Sequence, residues 1–387
     1  MTGLRKTLAE TLAALGARRQ KLGDVLDATK TNTAHTVPSD SGAKAAASGT
    51  QECSTFGANP GNLRMFVHVP EVVAVQPALV IALHGCGQTA QGYARGTGWS
   101  TLADRHGFVV VYPEQQRSNN ANTCFSWFLP GDSARDQGEA QSIQRMTEHA
   151  IVTYGIDRRR VFVTGLSAGG AMASVMLATY PEVYAGGAII AGLAYGSAGS
   201  VQAALEAMFS EQSPSARALG DRVRAASQHQ GPWPTVSVWH GGADAVVKPS
   251  NGDHSVRQWA NVLGISESPT QTERIGEHTR RTWRDAGGKT LIEQVSVAGM
   301  AHGVPLAIAS GAEACGVAGP FFIDVGLCST SHLARSWGLT DDDAAPAWVS
   351  EPVQTRARPV ATPDRHAGSR SLQQIIAAAL RAAGLKR

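Results

Sequence analysis

One five-residue segment constrains the fold of this 387-residue chain more than any other feature. The pentapeptide G-L-S-A-G, at residues 165–169, directly follows an apolar run, Arg160–Thr164, and precedes a stretch of helical character, Gly170–Tyr180. A strand, a sharp turn and a helix in this order hold a serine hydroxyl out at the carboxyl edge of a sheet. Glycine on both sides allows close backbone packing around the turn, because glycine has no Cβ atom. The pattern predicts an α/β fold and makes Ser167 a candidate nucleophile.

A serine hydroxyl needs a general base, and the base needs a third group that orients it. Asp244 follows a predicted strand, Thr235–His240, in a glycine-containing turn. His302 follows a second predicted strand, Leu291–Val297, and is succeeded by a glycine. The chain order Ser, Asp, His, with each residue in a loop after a strand, is that of α/β-hydrolases. Ser167, Asp244 and His302 are therefore the predicted catalytic residues.

Other residues compete for two of these roles. Asp285 stands in an Asp-Ala-Gly-Gly turn between two predicted strands, so turn formation explains it. Asp253 is placed to cap a helix that begins near His254. His84 precedes Ser167 in the chain, which is the wrong order for the base, and we expect it to brace its own loop through hydrogen bonds.

Ester or amide hydrolysis by a serine also needs hydrogen-bond donors for the oxyanion of the tetrahedral intermediate. The backbone N–H of Ala168, the residue after the serine, is the first expected donor. The second is expected in the loop His84–Gln88, which follows a fully apolar run, Pro77–Leu83. We predict that the Cys86 N–H supplies it.

Apolar runs and helical stretches alternate along the middle of the chain, which favours a mainly parallel sheet with helices on both faces. Residues 199–230 are rich in Ala, Gln and Ser and are expected to be helical, either as a cap over the site or as ordinary crossover helices. The predicted strands are Phe66–Val69, Leu79–Leu83, Val109–Tyr112, Val161–Thr164, Ala188–Ile190, Val236–Trp239, Thr279–Trp283 and Leu291–Val297, and the clearest helices are Gly138–Tyr154 and Ala171–Tyr180. The predicted fold class is α/β, of the α/β-hydrolase type.

Composition argues against several classes of protein. The 34 Lys and Arg residues nearly balance 31 Asp and Glu, and a net charge of +3 gives no reason to expect nucleic-acid binding. The longest apolar runs are too short or too charged for a transmembrane helix. Cys and His do not recur at zinc-ligand spacing, so neither a metal nor an organic cofactor is expected.

The chain is predicted to have three parts. Leucines at near-helical spacing predict an amphipathic helix over residues 3–28, and a Thr-, Ser- and Ala-rich linker completes the N-terminal part, 1–50. The catalytic domain is expected over 51–340. An acidic, proline-containing linker and a basic amphipathic helix form the last part, 341–387. Such a helix docks on its own domain, pairs with another subunit or contacts a hydrophobic surface.

The pairing of the five cysteines is not readable from the sequence. Cys315 and Cys328 flank a short Gly-Pro segment that a bridge would close. A Cys86–Cys124 bridge would hold the predicted oxyanion loop against an aromatic segment and leave Cys53 unpaired. Disulfides indicate an oxidising compartment. Charged residues interrupt any signal-peptide core in the first 26 positions, so a cytoplasmic location is the alternative.

Longer motifs between about Phe56 and Leu339 together resemble the esterases of the poly(3-hydroxybutyrate) depolymerase family. Cys-x-x-Trp-Phe, between the oxyanion loop and the serine, is the most specific of them. The motifs are H-G-C-G-Q at 84–88, G-F-V-V-V-Y-P-E-Q at 107–115, C-F-S-W-F at 124–128, R-D-Q-G-E at 135–139, the serine segment at 165–172, Tyr180-Pro181 and H-G-G-A-D at 240–244.

The resemblance implies an α/β-hydrolase fold, ester hydrolysis through an acyl-enzyme, and a short-chain polyhydroxyalkanoate as substrate. Trp127, Phe128 and Gln88 are the substrate-binding candidates, with core packing as the other explanation of the two aromatic residues. Secretion to the periplasm or the medium, and contact between the C-terminal helix and the polymer, are further expectations. Feruloyl or acetylxylan esterase activity is the alternative within the family, and a non-catalytic binding module is the alternative outside the enzyme class.

Overall fold

The computed structural model describes residues 49–211, 214–308, 315–340 and 349–350. Eleven of the strands form one sheet, in the order β1-β2-β4-β3-β5-β6-β7-β10-β9-β8-β13, and β11 pairs with β12 separately. The strands are β1 (Gln51–Cys53), β2 (Arg64–His68), β3 (Leu79–Leu83), β4 (Val109–Glu114), β5 (Val161–Leu166), β6 (Gly186–Ile190), β7 (Thr235–Gly241), β8 (Gln271–Ile275), β9 (His278–Arg284), β10 (Thr290–Val297), β11 (Val304–Leu306), β12 (Phe322–Asp324) and β13 (Val349–Ser350).

The centre of the large sheet is parallel, from β4 through β3, β5, β6 and β7 to β10. Strands β3, β4, β5 and β6 are buried along their whole length and are built largely of Val, Ile, Leu, Ala and Gly. Continuous apolar runs of this kind are typical of parallel strands covered on both faces.

Antiparallel strands extend both edges of this parallel centre. On one side β2 pairs with β4, and β1 pairs with β2. On the other side β9 pairs with β10, β8 with β9, and β13 with β8. The residues that join β9 to β10 form a tight turn in which the Lys289 N–H donates to Asp285 Oδ1 at 2.9 Å, so Asp285 is a turn residue as predicted.

Helices cover both faces of the sheet, because successive side chains along a strand point to opposite sides. In β3, Leu79, Ile81 and Leu83 belong to one apolar cluster, whereas Val80 and Ala82 belong to the other. Helices α4, α5, α7 and α8 contribute to the first cluster, and α1, α2 and α9 to the second. The helices are α1 (Ala90–Thr97), α2 (Trp99–His106), α3 (Pro130–Ser133), α4 (Gly138–Tyr154), α5 (Ala168–Thr179), α6 (Val201–Phe209), α7 (Ala216–Ala226), α8 (Ser250–Leu263) and α9 (Ser329–Ser336). The predicted α/β class, with a parallel central sheet and helices on both faces, is confirmed.

Parallel strands bring their following loops to one edge of the sheet. His84 follows β3, Ser167 follows β5, Asp244 follows β7 and His302 follows β10. The last two loops are tied together, because the Gly242 N–H donates to the Val297 carbonyl at 2.8 Å and the Ala243 N–H to the Met300 carbonyl at 3.0 Å.

The expected role of Asp253 as a helix cap is wrong. Asp253 does not cap a helix, because α8 already begins at Ser250, after Pro249, whose fixed φ suits a helix start. Asp253 lies in the first turn and accepts a hydrogen bond from Gln294 Nε2 at 2.8 Å. The helical character expected of residues 199–230 is confirmed by α6 and α7, of which α6 lines the cavity beside Ser167 and α7 packs against α8.

The predicted N-terminal helix and most of its linker lie outside the described residues, as does the predicted C-terminal helix. Within the predicted C-terminal linker, Val349–Ser350 forms the short strand β13. No helix in the described ranges is both long enough and apolar enough to span a bilayer.

Candidate active site

Ser167 occupies a strained turn between β5 and α5. Its φ of 57° and ψ of −118° lie outside the regions that non-glycine residues prefer, which is typical of a nucleophile elbow. A Cβ atom on Gly165 would lie 2.4 Å from the Gly169 backbone, and one on Gly169 would lie 2.3 Å from the Leu83 carbonyl oxygen. The two glycines are therefore required by the close approach of β3, β5 and α5.

Asp244 and His302 are hydrogen-bonded below the surface. His302 Nδ1 lies 2.7 Å from Asp244 Oδ2, and the two residues are 8% and 4% exposed. Since Nδ1 faces a carboxylate it carries the proton, and Nε2 remains for a second partner. His302 and Ser167 line the same cavity, so the structure brings together all three predicted catalytic residues.

The Asp244 carboxylate accepts hydrogen bonds on both oxygens. Oδ1 receives the backbone N–H groups of Val246 and Val247, each at 2.9 Å. Oδ2 receives His302 Nδ1, and His240 Nε2 lies 3.3 Å from the same oxygen. Burial alone would raise the pKa of Asp244, but the hydrogen bonds from His240 and His302 hold that pKa well below its ordinary value. Asp244 is therefore a carboxylate at neutral pH.

The two residues predicted to supply the oxyanion donors lie at the cavity. Cys86 and Ala168 both line it, and Ala168 is the first residue of α5, so its N–H has no acceptor within the helix. A disulfide joins Cys86 to Cys124, and the Gly87 N–H donates to the Asn122 carbonyl at 2.7 Å. The disulfide and this hydrogen bond thus hold the loop that carries the Cys86 N–H against Asn122 and Cys124, which also line the cavity.

Gln88 and His84 hold the same loop from inside. Gln88 Oε1 accepts the Gly85 N–H at 2.8 Å, so this predicted substrate-binding side chain also closes the loop on itself. His84 Nε2 accepts the Gln115 N–H at 3.0 Å, which leaves Nδ1 to donate to the Gly85 carbonyl at 2.8 Å. Burial lowers the pKa of His84 to about 4. With both ring nitrogens engaged, His84 braces the loop and is not placed to act as the base.

Glu139, which ends one of the family motifs but was given no role from the sequence, lies behind this loop on the first turn of α4. It is buried, and its oxygens accept the Gln115 Nε2 group at 2.6 Å and the Ser126 N–H at 2.7 Å. Burial raises the pKa of Glu139 to about 7, despite these hydrogen bonds. Glu139 therefore connects the segment after β4 to the aromatic segment that follows Cys124.

The cavity has a volume of about 320 Å³ and an apolar lining. Trp127 and Phe128 both line it, and their rings pack edge to face with centroids 5.4 Å apart. Helix α6 contributes four further residues to the lining: Val201, Ala204, Leu205 and Met208. These positions follow the i, i+3, i+4, i+7 spacing of one helix face. This spacing of apolar residues can be seen in the sequence, but the sequence does not show that this face of the helix lines the cavity.

The described cysteines form two disulfides, Cys86–Cys124 and Cys315–Cys328. These are the pairings that the sequence left open as possibilities. Cys53, the fifth cysteine, is unbridged and lies 3.5 Å from His149 Nε2. Among the described residues, no three of the His, Cys, Asp and Glu side chains are grouped to hold a metal ion.

Comparison with known proteins shows where the chain belongs. The family described as esterase PHB depolymerase matches residues 64–284. Poly(3-hydroxyalkanoate) depolymerase C of Paucimonas lemoignei is 44% identical over 289 residues, which cover 74% of this chain and 70% of the relative. An acetylxylan esterase of Coprinopsis cinerea is 36% identical over 260 residues, 65% of this chain and 68% of that one.

A feruloyl esterase B of Neurospora crassa is 37% identical over 227 residues, 56% of this chain and 76% of the relative. Among solved structures, the acetyl xylan esterase of Aspergillus awamori superposes with a TM-score of 0.65 at 25% identity, over 76% of this chain and all of that one. The chain therefore belongs to the PHB depolymerase family of esterases, which have the α/β-hydrolase fold.

Proposed function

We propose that this protein is a serine carboxylic-ester hydrolase in which Ser167 is the nucleophile, His302 the general base and Asp244 the residue that orients the base. The observation that carries this proposal is the buried 2.7 Å hydrogen bond between His302 Nδ1 and Asp244 Oδ2, with Ser167 and His302 on one cavity. The bond fixes the tautomer in which Nε2 has a free lone pair for the serine proton.

The reaction then follows from the geometry. His302 Nε2 takes the Ser167 proton as Oγ attacks the ester carbonyl, and the N–H groups of Cys86 and Ala168 bind the oxyanion. Proton transfer from His302 to the departing oxygen releases the alcohol and leaves an acyl group on Ser167. A water molecule, deprotonated by His302, attacks this acyl-enzyme and releases the acid. The strained backbone at Ser167 keeps Oγ on the cavity side of the turn throughout.

We propose a short-chain polyhydroxyalkanoate, poly(3-hydroxybutyrate) above all, as the substrate. None of the described residues that line the cavity is Asp, Glu, Lys or Arg. The four cavity-lining residues of α6, which we call the α6 stripe, offer apolar contact to an aliphatic ester, as do Trp127 and Phe128. The 44% identical relative is named as a poly(3-hydroxyalkanoate) depolymerase. A 3-hydroxybutyrate unit presents one methyl group and one ester per repeat, and this chemistry suits an uncharged cavity with polar groups near Gln88, Asn120 and Asn122.

Release of 3-hydroxybutyrate from amorphous polymer and from its trimer tests this proposal. Wild type should release acid and the Ser167→Ala variant should release none, whereas both should have the same thermal unfolding midpoint. The 36% and 37% identical relatives named as acetylxylan and feruloyl esterases define the second candidate. Hydrolysis of p-nitrophenyl acetate, acetylated xylan or methyl ferulate without release from the polyester would select it. No hydrolysis of any ester would leave a binding module as the explanation.

We propose an extracellular or periplasmic location. The two disulfides support it, because disulfides persist in oxidising compartments. Fractionation of the native host, with detection of the protein in the medium or periplasm, is the direct measurement, and recovery from the cytoplasm alone would contradict the proposal.

We further propose that the predicted C-terminal helix contacts the polymer surface. Its sequence combines apolar and basic positions. Deletion of residues 345–387 should weaken adsorption to polymer granules but preserve hydrolysis of the soluble trimer. Equal adsorption by the full and shortened chains would show that the helix has another role.

A further inference from the structure

His240, at the end of β7, contacts the carboxylate that orients the base. It is 4% exposed. Its Nε2 atom lies 2.9 Å from the Val247 carbonyl oxygen and 3.3 Å from Asp244 Oδ2. Both neighbours are hydrogen-bond acceptors, so Nε2 carries a hydrogen and donates.

The loop after β7 folds back so that Val247 is hydrogen-bonded to both His240 and Asp244. The Val247 N–H donates to Asp244 Oδ1, and the Val247 carbonyl accepts from His240 Nε2. His240, Asp244 and Val247 thereby form a closed set of contacts, two of which are hydrogen bonds and the third the 3.3 Å approach of His240 Nε2 to Asp244 Oδ2. The Asp244 carboxylate is held from two sides, by backbone on Oδ1 and by two imidazoles on Oδ2.

The other side of the His240 ring faces α8. A Cβ atom on Gly252 would lie 3.2 Å from His240 Nδ1, and this nitrogen is buried without a hydrogen-bond partner among the described residues. The titratable neighbours on α8 are Asp253, which accepts from Gln294, and His254, whose pKa is lowered by burial. Packing against α8 therefore sets the ring orientation, and the contacts of Nε2 alone link the ring to the catalytic residues.

We propose that His240 is a positioning residue for Asp244: its Nε2–H fixes Oδ2 in the plane that meets His302 and shares the charge of that oxygen. The inference rests on the proposed roles of Asp244 and His302. Without the second donor the carboxylate is freer to rotate away from His302, which lowers kcat.

Three variants separate this role from simple packing. His240→Leu removes the donor, whereas His240→Gln restores an N–H donor at about the position of Nε2. His68→Leu is the matched control. His68 is also 4% exposed, contacts Asp104 through Nε2 at 2.7 Å and has no hydrogen-bond partner for Nδ1 among the described residues, but it lies on β2, with four strands between it and β7 in the sheet order. The values of kcat and KM on p-nitrophenyl butyrate are measured for each variant and corrected for the folded fraction by circular dichroism.

We expect His240→Leu to lower kcat by about 10-fold or more, with little change in KM, because a hydrogen bond to an ion is lost. His240→Gln should recover most of the lost kcat, and His68→Leu should leave kcat and KM nearly unchanged. In an Asp244→Asn background, His240→Leu should have almost no further effect on kcat.

The proposal is overturned if His240→Leu leaves kcat unchanged, if His240→Gln loses as much kcat as His240→Leu does, or if the loss of kcat persists undiminished in the Asp244→Asn background. Failure of the proposed function gives a different result. In that case the wild type does not hydrolyse p-nitrophenyl butyrate, or Ser167→Ala hydrolyses it as well as wild type does.

Discussion

Gln115 Nε2 donates a 2.6 Å hydrogen bond to Glu139, a carboxyl group that is almost fully buried behind the oxyanion loop. Gln115 also donates its backbone N–H to His84, the residue that begins that loop. A hydrogen-bonded chain of three residues therefore runs from the first turn of α4 to the loop that carries the Cys86 N–H.

The protonation of Glu139 should make the stability of the fold depend on pH. Burial raises the pKa of Glu139 to about 7 from an ordinary value of 4.5. A raised carboxyl pKa means that the folded state binds a proton that the unfolded state has lost, so this contribution is complete below about pH 4.5 and disappears as the pH rises through 7. Between pH 5 and 8, wild type should lose up to about 3 kcal/mol of unfolding free energy that Glu139→Gln does not lose.

Urea unfolding of wild type and Glu139→Gln at pH 5, 6, 7 and 8 measures this difference. Other titrating groups are common to both proteins and cancel in the comparison. Parallel pH dependences for the two proteins would show that the buried carboxyl does not take up a proton in this range.

Asp244→Asn should abolish most of the activity without unfolding the protein. The amide cannot accept from His302 Nδ1–H and from His240 with the same strength, so the base loses its tautomer and its imidazolium loses its counter-charge. We expect kcat on p-nitrophenyl butyrate to fall by about 10³-fold or more. Asp253→Asn is the matched control, since Asp253 was the competing carboxylate and its partner is Gln294. Comparable losses in the two variants would remove Asp244 from the proposed mechanism.

The parts of this site that could be predicted from the sequence are those that depend on residues close to one another along the chain. The elbow at Ser167 and the loops of Asp244 and His302 were predictable, because parallel strands bring their carboxyl ends to one edge and the flanking residues signal strands. The contact of His240 with Asp244 was not, since it depends on the path of the loop from Gly241 to Val247, which no periodicity encodes.

The first residue of α8 and the outer strands of the sheet were also not predicted from the sequence. The start of α8 was misplaced, and Asp253 with it, because the helix begins directly after Pro249 instead of at a polar capping residue. The antiparallel strand β1, at one edge of the sheet, and β8, next to the last strand at the other edge, are short and partly exposed, so they lack the continuous apolar runs that identified the centre.

Gly169→Ala should destabilise the fold strongly. The added methyl group would lie 2.3 Å from the Leu83 carbonyl oxygen and 2.5 Å from that of His84, both of which are backbone atoms that a rotamer change cannot move. We expect a loss of about 1–3 kcal/mol in unfolding free energy, from strain between β3 and the first turn of α5. Gly131→Ala is the control, because a Cβ atom there has no neighbour within 4 Å. Urea unfolding measures both variants, and equal stabilities would contradict the close approach described for the elbow.

The α6 stripe should determine the acyl preference. Val201 is 60% exposed, whereas Leu205 and Met208, further along the same face, are half-buried at the cavity, so an aliphatic substrate gains contact with a surface that water otherwise reaches. Leu205→Gln should therefore lower kcat/KM for p-nitrophenyl butyrate and the 3-hydroxybutyrate trimer by about 10-fold, because a polar amide replaces apolar contact. The same variant should leave p-nitrophenyl acetate nearly unchanged, since its methyl group is too short to extend along the stripe. Glu206→Gln, on the exposed face of the helix, is the matched control. An equal loss on acetate and butyrate in Leu205→Gln would mean that α6 supports the fold of the site without reading the length of the acyl chain.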